Sequence, residues 1–501
     1  MKATRRSLLK AFTLGGAASL TSCERITTAL SQQFGQGVPS SLTVGDGVKI
    51  DDDFHLLNRA SFGPWPGDLQ TLKSLGREAW LEAQLQPESI DDTLCDLRTG
   101  AYESLQFEPG NAYEFQKEVL RDEITRHTLI QSVYSKRQLL EVMVEFWTDH
   151  LNIDLEKGDC VYLKPSDDRD VIRAHALGNF HDLILASAKS PAMLTYLDGR
   201  DNKVRRHSKD VPNENYAREL MELHTLGVSG GYTQNDVREA ARCLTGWTVD
   251  LKRKMLEDLN LFKPARGVTY FKEEWHDDGE KKVLGQTIAA GGGAQDIERL
   301  VGIVCSHPST ARYLATKLCH RFVSYHPPEA LVTRVAEKFT ATRGDIKSLL
   351  RVILQSEEFY ASQGQLLKRP FRYIVSALRT VGADTYAHPP LMDYLHRMGQ
   401  GLFQYPTPDG YPDEEAPWMG TLLWRWNFAF ALASNQVPTV KCNPTGLRKS
   451  LDKDVKAQTA KLFAHCIGRH PLETELQAIH GLTDQGEMLG AMLASPAFQR
   501  C

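Results

Sequence analysis

The feature of this sequence that most restricts its fold is the helical spacing of apolar residues, which begins near Asp51. From there to about residue 200, and most clearly from Glu114 to Trp147, apolar residues recur at intervals of three and four. That spacing puts them on one face of a helix, whereas a half-buried strand would alternate at intervals of two. The sequence therefore predicts a mainly α, multi-helical globular body.

Strand-like patterning is confined to an irregular stretch that ends near Gly293. Val268–Phe271 and Lys282–Leu284 are short β-favouring runs with a polar loop between them. We expect these two runs to form a small β-hairpin insertion near residues 268–284. The helical body spans residues 51–501, and it could consist of two closely packed units divided near residue 295.

The charge balance excludes one class of partner. The chain has 59 Lys and Arg residues against 63 Asp and Glu residues, a formal net charge of -4. No basic groove of the kind that binds nucleic acid is expected from this balance.

The N-terminus resembles an export signal. Arg5-Arg6 precedes an apolar segment that ends at Leu20-Thr21-Ser22-Cys23. The first pair is typical of twin-arginine export in bacteria, and the second motif is typical of lipid attachment at Cys23. Residues 1–23 are therefore predicted to be a lipoprotein signal and residues 24–50 a flexible tether. An ordinary secretory signal, or a Cys23 that carries no lipid, are the alternatives.

A helix-like pattern recurs along the chain. The stretches from Gly178 and from Gly344 share a glycine start, a leucine five residues later and a bulky apolar residue at plus fifteen, and a looser copy begins at Gly486. Each predicts an amphipathic helix that ends in a Ser-Pro or Ser-Glu stop. Chance recurrence of such helices is the alternative.

The densest group of polar side chains lies between Pro212 and Val249. On a helix from Asn213 to Leu226, one face carries most of the polar residues, whereas His224 falls on the apolar side. The polar face consists of Glu214, Asn215, Arg218, Glu219, Glu222 and Thr225. An exposed charged face, with Arg218 and Glu222 as an ion pair, is the simpler interpretation.

The more specific interpretation is that the same face forms part of a metal or acid–base site. Asn215, Glu219 and Glu222 are spaced so that their oxygens could bind a divalent metal ion together with His150. Asp149 and His150 end the long apolar helix, and an imidazole can act as a ligand or as a general base. A structural role for His150 at the helix end is the alternative.

A second His-carboxylate pair, His276-Asp277, follows in a polar loop. We combine it with Asp149, His150, Arg218, Glu219 and Glu222 as candidate catalytic residues of one metal or acid–base site. A solvent-exposed turn is the alternative for His276-Asp277.

Familiar enzyme signatures are missing from the chain. It has no Gly-x-Ser-x-Gly elbow, no phosphate-binding glycine loop and no His-Glu-x-x-His motif. A faint similarity to animal-type haem peroxidases in FWTDHLNID and NYARELMEL has the wrong spacing and lacks a proximal histidine.

Several stretches together resemble the bacterial domain of unknown function 1800 family over nearly all of residues 51–501. The stretches are HLLNRASFGPWPGDL from His55, FWTDHLNI from Phe146, LGNFHDLILASAKSPAMLTYLD from Leu177, the segment from Pro212 to Val249, HPSTARYLATKLCHRFV from His307 and the closing LASPAFQR. The resemblance implies an exported, mainly helical protein, often encoded beside an exported protein similar to sulfatases and phosphatases. The Gly-Trp-Pro loop of the family reads Gly410-Tyr411-Pro412 here.

Two functions follow from these observations. The first is an exported cell-envelope enzyme, periplasmic or membrane-anchored, with a metal or acid–base site for an envelope or extracellular polymer. The second is a non-catalytic envelope protein that binds a partner through the aromatic residues of the loop from Tyr405 to Trp418.

Overall fold

The computed structural model of the protein describes residues 37–205, 210–251, 266–452 and 454–501. Within these ranges the chain forms 26 α-helices, two π-helical segments and three two-stranded antiparallel sheets. The prediction of a mainly α body with small hairpins is confirmed. The predicted signal, with Cys23, and residues 24–36 of the tether lie outside the described residues.

The helices vary widely in length. Those of eight or more residues are Asp52–Ala60, Asp68–Leu75, Arg77–Gln84, Lys117–Tyr134, Gln138–His150, Cys160–Asp167, Phe180–Ala188, Gln234–Cys243, Asp296–Ser306, Pro308–Phe322, Glu329–Thr342, Ile346–Leu354, Pro370–Thr380, Pro389–Arg397, Leu422–Ala433, Pro444–Leu451, Val455–Ile467 and Gln485–Ala494. The shorter ones are Thr93–Thr99, Pro109–Ala112, Pro191–Tyr196, Asn215–Glu219, Glu357–Ala361, Ala416–Met419, Glu473–Ile479 and Pro496–Gln499. No helix in the described ranges has both the length and the apolar character needed to cross a bilayer.

The strands lie close to their predicted positions, but the predicted pairing is wrong. Lys281–Val283 pairs with Gln286–Ile288, and Thr269–Phe271 pairs with Trp247–Val249. A third pair joins Asp384–Thr385 to Val440–Lys441. The reason is local: Leu284 and Gly285 both have positive φ, 48° and 77°, which suits a tight two-residue turn between adjacent strands.

The recurring helix pattern corresponds to a recurring structural unit. Asn179 and Asp345 each accept a hydrogen bond at the start of a nine-residue helix, Phe180–Ala188 and Ile346–Leu354. The two caps form an antiparallel bridge, in which the Phe180 amide donates to the Gly344 carbonyl at 2.9 Å. The helix Gln485–Ala494 begins in the same way, with Asp484 as its cap.

Buried arginines tie helix ends together around this core. Arg59 is 1% exposed and donates to the carbonyl oxygens of Phe322 and Val323 at 3.0 and 3.2 Å. Arg372 donates to three carbonyl oxygens at the end of the helix Asp52–Ala60, at 2.6 to 2.9 Å. Because the last carbonyl groups of a helix lack partners within it and carry partial negative charge, a cation at that end stabilises it.

One connected cluster of buried apolar side chains extends from Leu42 to Phe498 and includes residues on both sides of residue 295. The helix Gln138–His150 runs through this cluster. The suggested division into two units near residue 295 stays a prediction.

Candidate functional site

The helix Gln138–His150, here called the carboxylate helix, carries three acidic side chains into the interior. Glu141, Glu145 and Asp149 follow one another at intervals of four residues, so they share one face. Their side chains are 3%, 11% and 16% exposed. A buried carboxylate is costly unless it is paired and hydrogen-bonded, and each of the three has an arginine partner.

Arg369 joins two of these carboxylates. Its guanidinium group donates to Glu145 at 2.6 Å and to Asp149 at 2.7 Å, and Arg321 approaches Glu145 from a different helix at 2.6 Å. Burial acts to raise the pKa of Glu145, but the two guanidinium groups hold it below its ordinary value. Burial raises the pKa of Asp149, against the opposing effect of Arg369.

The loop from Phe403 to Gly420 closes over the end of the carboxylate helix. The Tyr411 amide donates to Asp149 at 2.9 Å, and the Asn152 amide donates to the carbonyl oxygens of Tyr405 and Thr407 at 2.9 and 2.8 Å. Within this loop Trp418 is only 4% exposed. Of the loop aromatics that the sequence suggested as a contact surface, Trp418 is buried, whereas Tyr405 and Tyr411 are partly exposed.

Gly410 is required where this loop meets the helix. Its φ is +75°, and a Cβ atom would overlap the carbonyl oxygen of Asp149. We expect Gly410→Ala to lower the free energy of unfolding by about 2–3 kcal/mol, since backbone strain and overlap add. Urea unfolding would measure the loss. Gly399→Ala is the matched control, because its φ is +80° but no atom lies within 4 Å of the added Cβ. An equal loss in both variants would contradict a close approach at Gly410.

Glu141 belongs to a second ionic cluster. Arg173 donates to both oxygens of Glu141 at 2.9 and 3.0 Å and to Asp168 at 2.8 Å. Asp168 and Arg173 lie on the π-helical segment Asp168–Arg173, which follows a helix that contains Pro165. π-Helical turns are rare and are frequent at functional sites.

This second cluster lies at a polar cleft with a volume of about 440 Å³. The cleft is lined by acidic, basic, amide and aromatic side chains, among them Asp92, Asp96, Tyr102, Gln106, His127, Gln131, Arg137, Glu141, Asp168, Arg169 and Arg173. In the described structure, three buried polar atoms of this lining make no hydrogen bond: His127 Nδ1, Asp168 Oδ1 and one Arg173 nitrogen. Buried polar atoms are normally satisfied, so these three atoms can bind water or a polar ligand that enters the cleft.

The cleft shifts the pKa values of its two carboxyl groups in opposite directions. Burial raises the pKa of Glu141 above its ordinary value. Burial acts the same way on Asp168, but the charge of Arg173 outweighs it and holds the pKa of Asp168 below its ordinary value. Burial and Arg173 lower the pKa of His127 to about 3, so its imidazole is neutral at pH 7. Asp168 therefore loses its proton at a lower pH than Glu141 does.

Glu141 also borders a small inner chamber of about 40 Å³. This chamber is lined by Glu145, Asp149, Asn152 and Gln400 as well as by side-chain hydroxyl groups. That volume is enough for about one or two water molecules. Glu141 is thus the one member of the carboxylate helix that lines both the chamber and the cleft.

His150, the last residue of the carboxylate helix, lies in the core. It is 3% exposed, and its Nε2 is 3.0 Å from the carbonyl oxygen of His224. Burial, with a further effect from Lys317, lowers the pKa of His150 well below its ordinary value. His224 is 1% exposed, which confirms its predicted place in the core. The ring of Phe146 lies parallel to that of His150, with 6.1 Å between the ring centroids.

The polar residues after Pro212 lie on a short helix that changes into the π-helical segment Leu220–Thr225. Glu214 contacts Arg218 at 3.1 Å and also Arg238 at 3.3 Å, on the helix Gln234–Cys243. Glu222 accepts a hydrogen bond from Tyr232 at 3.1 Å. Burial, and then Glu222, raises the pKa of the half-buried Glu219.

Asn215 and His150 contact different carbonyl groups. The side-chain amide of Asn215 donates to the Leu197 carbonyl oxygen at 3.0 Å, whereas His150 contacts that of His224. Throughout the described ranges, no group of three or more His, Cys, Asp or Glu side chains is arranged to hold a metal ion. The predicted set of His150, Asn215, Glu219 and Glu222 is thus not a formed ligand set here.

His276 and Asp277 belong to another network. His276 lies 2.8 Å from the Thr245 carbonyl oxygen and 3.2 Å from Asp296. Asp277 binds Arg242 through two hydrogen bonds of 2.7 and 3.0 Å. Among the described residues, no hydrogen bond or ion pair joins this network to Asp149 or Glu219. His276 and Asp277 thus bond within a network of their own, and the single site suggested for all of these residues stays a prediction.

Sequence reasoning found Asp149 but missed Glu141, Asp168 and Arg173. One signal was present: acidic residues four positions apart in a helix whose other residues are mostly apolar. Such residues have no exposed face to occupy, so they must be paired in the interior. Their partners lie too far away in the sequence to be identified from it.

The protein is therefore mainly helical. It is built around the buried carboxylate helix, and one carboxylate of that helix, Glu141, borders the polar cleft. The sequence model for the family described as a protein of unknown function (DUF1800) matches residues 55–500, and the chain belongs to this family. No curated protein and no solved structure matches the chain significantly.

Proposed function

We propose that this chain is an exported enzyme of the bacterial cell envelope that hydrolyses a polymer with Glu141 as general acid and Asp168 as general base. The observation that carries the proposal is geometric. The two carboxyl groups share the guanidinium group of Arg173, within 3.0 Å, at a cleft of about 440 Å³. Two carboxyl groups in opposite protonation states are a common acid–base arrangement for hydrolysis.

The roles follow from the environment of each group. Asp168 takes a proton from a water molecule as the water oxygen attacks the carbon of the bond that is cleaved. Glu141 gives its proton to the leaving oxygen as the carbon–oxygen bond breaks. Each turnover leaves Asp168 protonated and Glu141 ionised, and one proton transfer through solvent restores both. Arg173 keeps the two carboxyl groups in place, and no metal ion is needed for these steps.

The lining of the cleft favours a substrate rich in hydroxyl groups. Carboxylates and guanidinium groups of opposite sign lie side by side there, together with amide groups and a tyrosine. These groups can both donate to and accept from hydroxyl groups without requiring a charged ligand. A polysaccharide of the envelope or of the surroundings fits this chemistry.

Export supports the choice of an envelope polymer. Export through the pattern at Arg5-Arg6 and lipid attachment at Cys23, both of which belong to the proposal, would bring the enzyme into the compartment of an envelope polymer. The co-encoded sulfatase- or phosphatase-like protein implied by the family resemblance would remove charged groups from the same polymer. A metal-dependent site at His150, Asn215, Glu219 and Glu222 would need these side chains to move.

The release of reducing ends from purified envelope and extracellular polysaccharides tests the proposal. We expect release by the full-length protein and by Glu337→Gln, an exposed carboxylate on the helix Glu329–Thr342, but not by Glu141→Gln. Equal release by Glu141→Gln would place the chemistry elsewhere. If the unaltered protein binds a polysaccharide without cleaving any, the non-catalytic alternative holds instead.

A further inference from the structure

Five large apolar side chains form an exposed line on the helix Leu422–Ala433 and on the short helix before it. Their exposed fractions run from 36% to 63%, the largest being that of Leu423. These residues, here called the apolar stripe, are Met419, Leu422, Leu423, Trp426 and Phe430. None of them carries a charge.

Buried contacts on the opposite face of the helix keep the stripe facing solvent. Its positions recur at intervals of three and four residues, so they share about 100° of the helix surface. On the other side, Phe428 and Leu432 are at most 1% exposed. Arg425 is fully buried and donates to the Lys368 carbonyl and to Gln499 at 2.7 and 2.9 Å. The helix therefore cannot roll to hide the stripe without breaking these bonds.

The exposed area of the stripe bears on whether a second copy of the chain covers it. Large apolar side chains each offer roughly 150–250 Å², so the stripe exposes about 450 Å² at these exposed fractions. Patches of a few hundred Å² on a soluble surface often mark interaction sites. Two copies meeting through the stripe would bury about 900 Å² in total, less than the roughly 1,200–2,000 Å² of a stable protein interface. A stable homodimer is therefore disfavoured.

A lipid on Cys23 would hold the described residues close to a membrane, because few residues separate the two. Residues 24–36 separate Cys23 from the first described residue, and such a segment spans at most about 45 Å. The chain then runs against the C-terminal helices, where the Leu42 amide donates to the Ser450 carbonyl at 2.8 Å. These helices, 8 to 13 residues long, belong to the same group as the stripe helix, and 13 residues of helix measure about 20 Å.

We propose that the apolar stripe inserts into the surface of a phospholipid bilayer beside the lipid-anchored Cys23. This inference rests on the proposed export and lipid attachment. Tryptophan favours the interface between water and acyl chains, and leucine, methionine and phenylalanine favour the acyl side. Because the stripe lacks basic residues, binding should not depend on anionic lipids.

Quenching of Trp426 by lipid tests this proposal directly. The full-length protein is mixed with phosphatidylcholine vesicles whose acyl chains carry bromine, and its tryptophan emission is compared with that of Trp426→Phe, which keeps the stripe apolar. We expect quenching in the unaltered protein that is absent from the variant. Leu423→Glu should weaken vesicle binding at least tenfold, whereas Leu472→Glu, at a site 48% exposed outside the stripe, should not. Adding phosphatidylglycerol should change neither result.

Two outcomes would overturn the proposal. Vesicle binding without quenching at Trp426, and unaffected by Leu423→Glu, would show attachment through the N-terminal segment alone. A stable dimer that Leu423→Glu dissociates would make a second copy the occupant. Lipid attachment is tested separately by labelling cells with an alkyne fatty acid, which Cys23→Ser should abolish. A label that persists in Cys23→Ser would refute the anchor, while the vesicle results would still decide whether the stripe binds lipid.

Discussion

Replacing Arg369 by leucine is expected to lower the free energy of unfolding by about 3–5 kcal/mol. Arg369 is 9% exposed at its side chain and binds both Glu145 and Asp149. Removing it leaves Asp149 buried without a cation and leaves Glu145 with Arg321 alone. An uncompensated buried carboxylate is more costly than the original ion pair is favourable, so the loss should be large. Urea unfolding, followed by circular dichroism, measures it.

Two variants make this result specific. Arg334 also binds a carboxylate, at 2.9 and 3.0 Å from Glu358, but its side chain is 47% exposed. Arg334→Leu should therefore cost no more than about 1 kcal/mol. Adding Asp149→Asn to Arg369→Leu should recover part of the loss, because the unpaired charge is removed. A loss of less than 1 kcal/mol in Arg369→Leu would mean that water or a neighbouring residue replaces the guanidinium group.

The helical part of the fold was predictable because its causes are local. Apolar spacing of three and four residues identified the body, and the caps at Asn179 and Asp345 begin the helices that the recurring pattern indicated. The strand pairing was not predictable in the same way. Strands of two or three residues carry almost no register signal, and the tight turn at Leu284-Gly285 requires a positive φ that leucine rarely adopts.

The site was predictable only in part because its partners are distant in the sequence. Asp149 and Arg369 are 220 residues apart, and a single sequence contains no sign of that contact. The π-helical segments Asp168–Arg173 and Leu220–Thr225 add a second difficulty, since a helical wheel with 3.6 residues per turn misplaces side chains after a wider turn. Asp168 and Arg173 lie on the first of these segments, whereas His224 was correctly assigned to the core although it lies on the second.

The second prediction with a large expected effect concerns pH. The reactive form of the proposed site has Asp168 ionised and Glu141 protonated, so it is the major form between the two pKa values. Activity should fall below the pKa of Asp168, which the charge of Arg173 holds under its ordinary 3.8 against the effect of burial. It should also fall above the pKa of Glu141, which burial raises over its ordinary 4.5. We therefore expect a bell-shaped profile of kcat/KM.

Variants at the three residues should change this profile in different ways. Glu141→Gln should reduce kcat/KM by about 10²–10⁴-fold and remove the alkaline limb, and Asp168→Asn should cause a similar loss and remove the acid limb. Arg173→Lys keeps the charge but loses the planar fork, so the pKa of Asp168 should rise and the acid limb should move to higher pH with a smaller loss of rate. A profile that keeps both limbs in Glu141→Gln and Asp168→Asn would exclude this pair as the acid and base, because a merely structural role would lower the amount of folded protein without removing either limb.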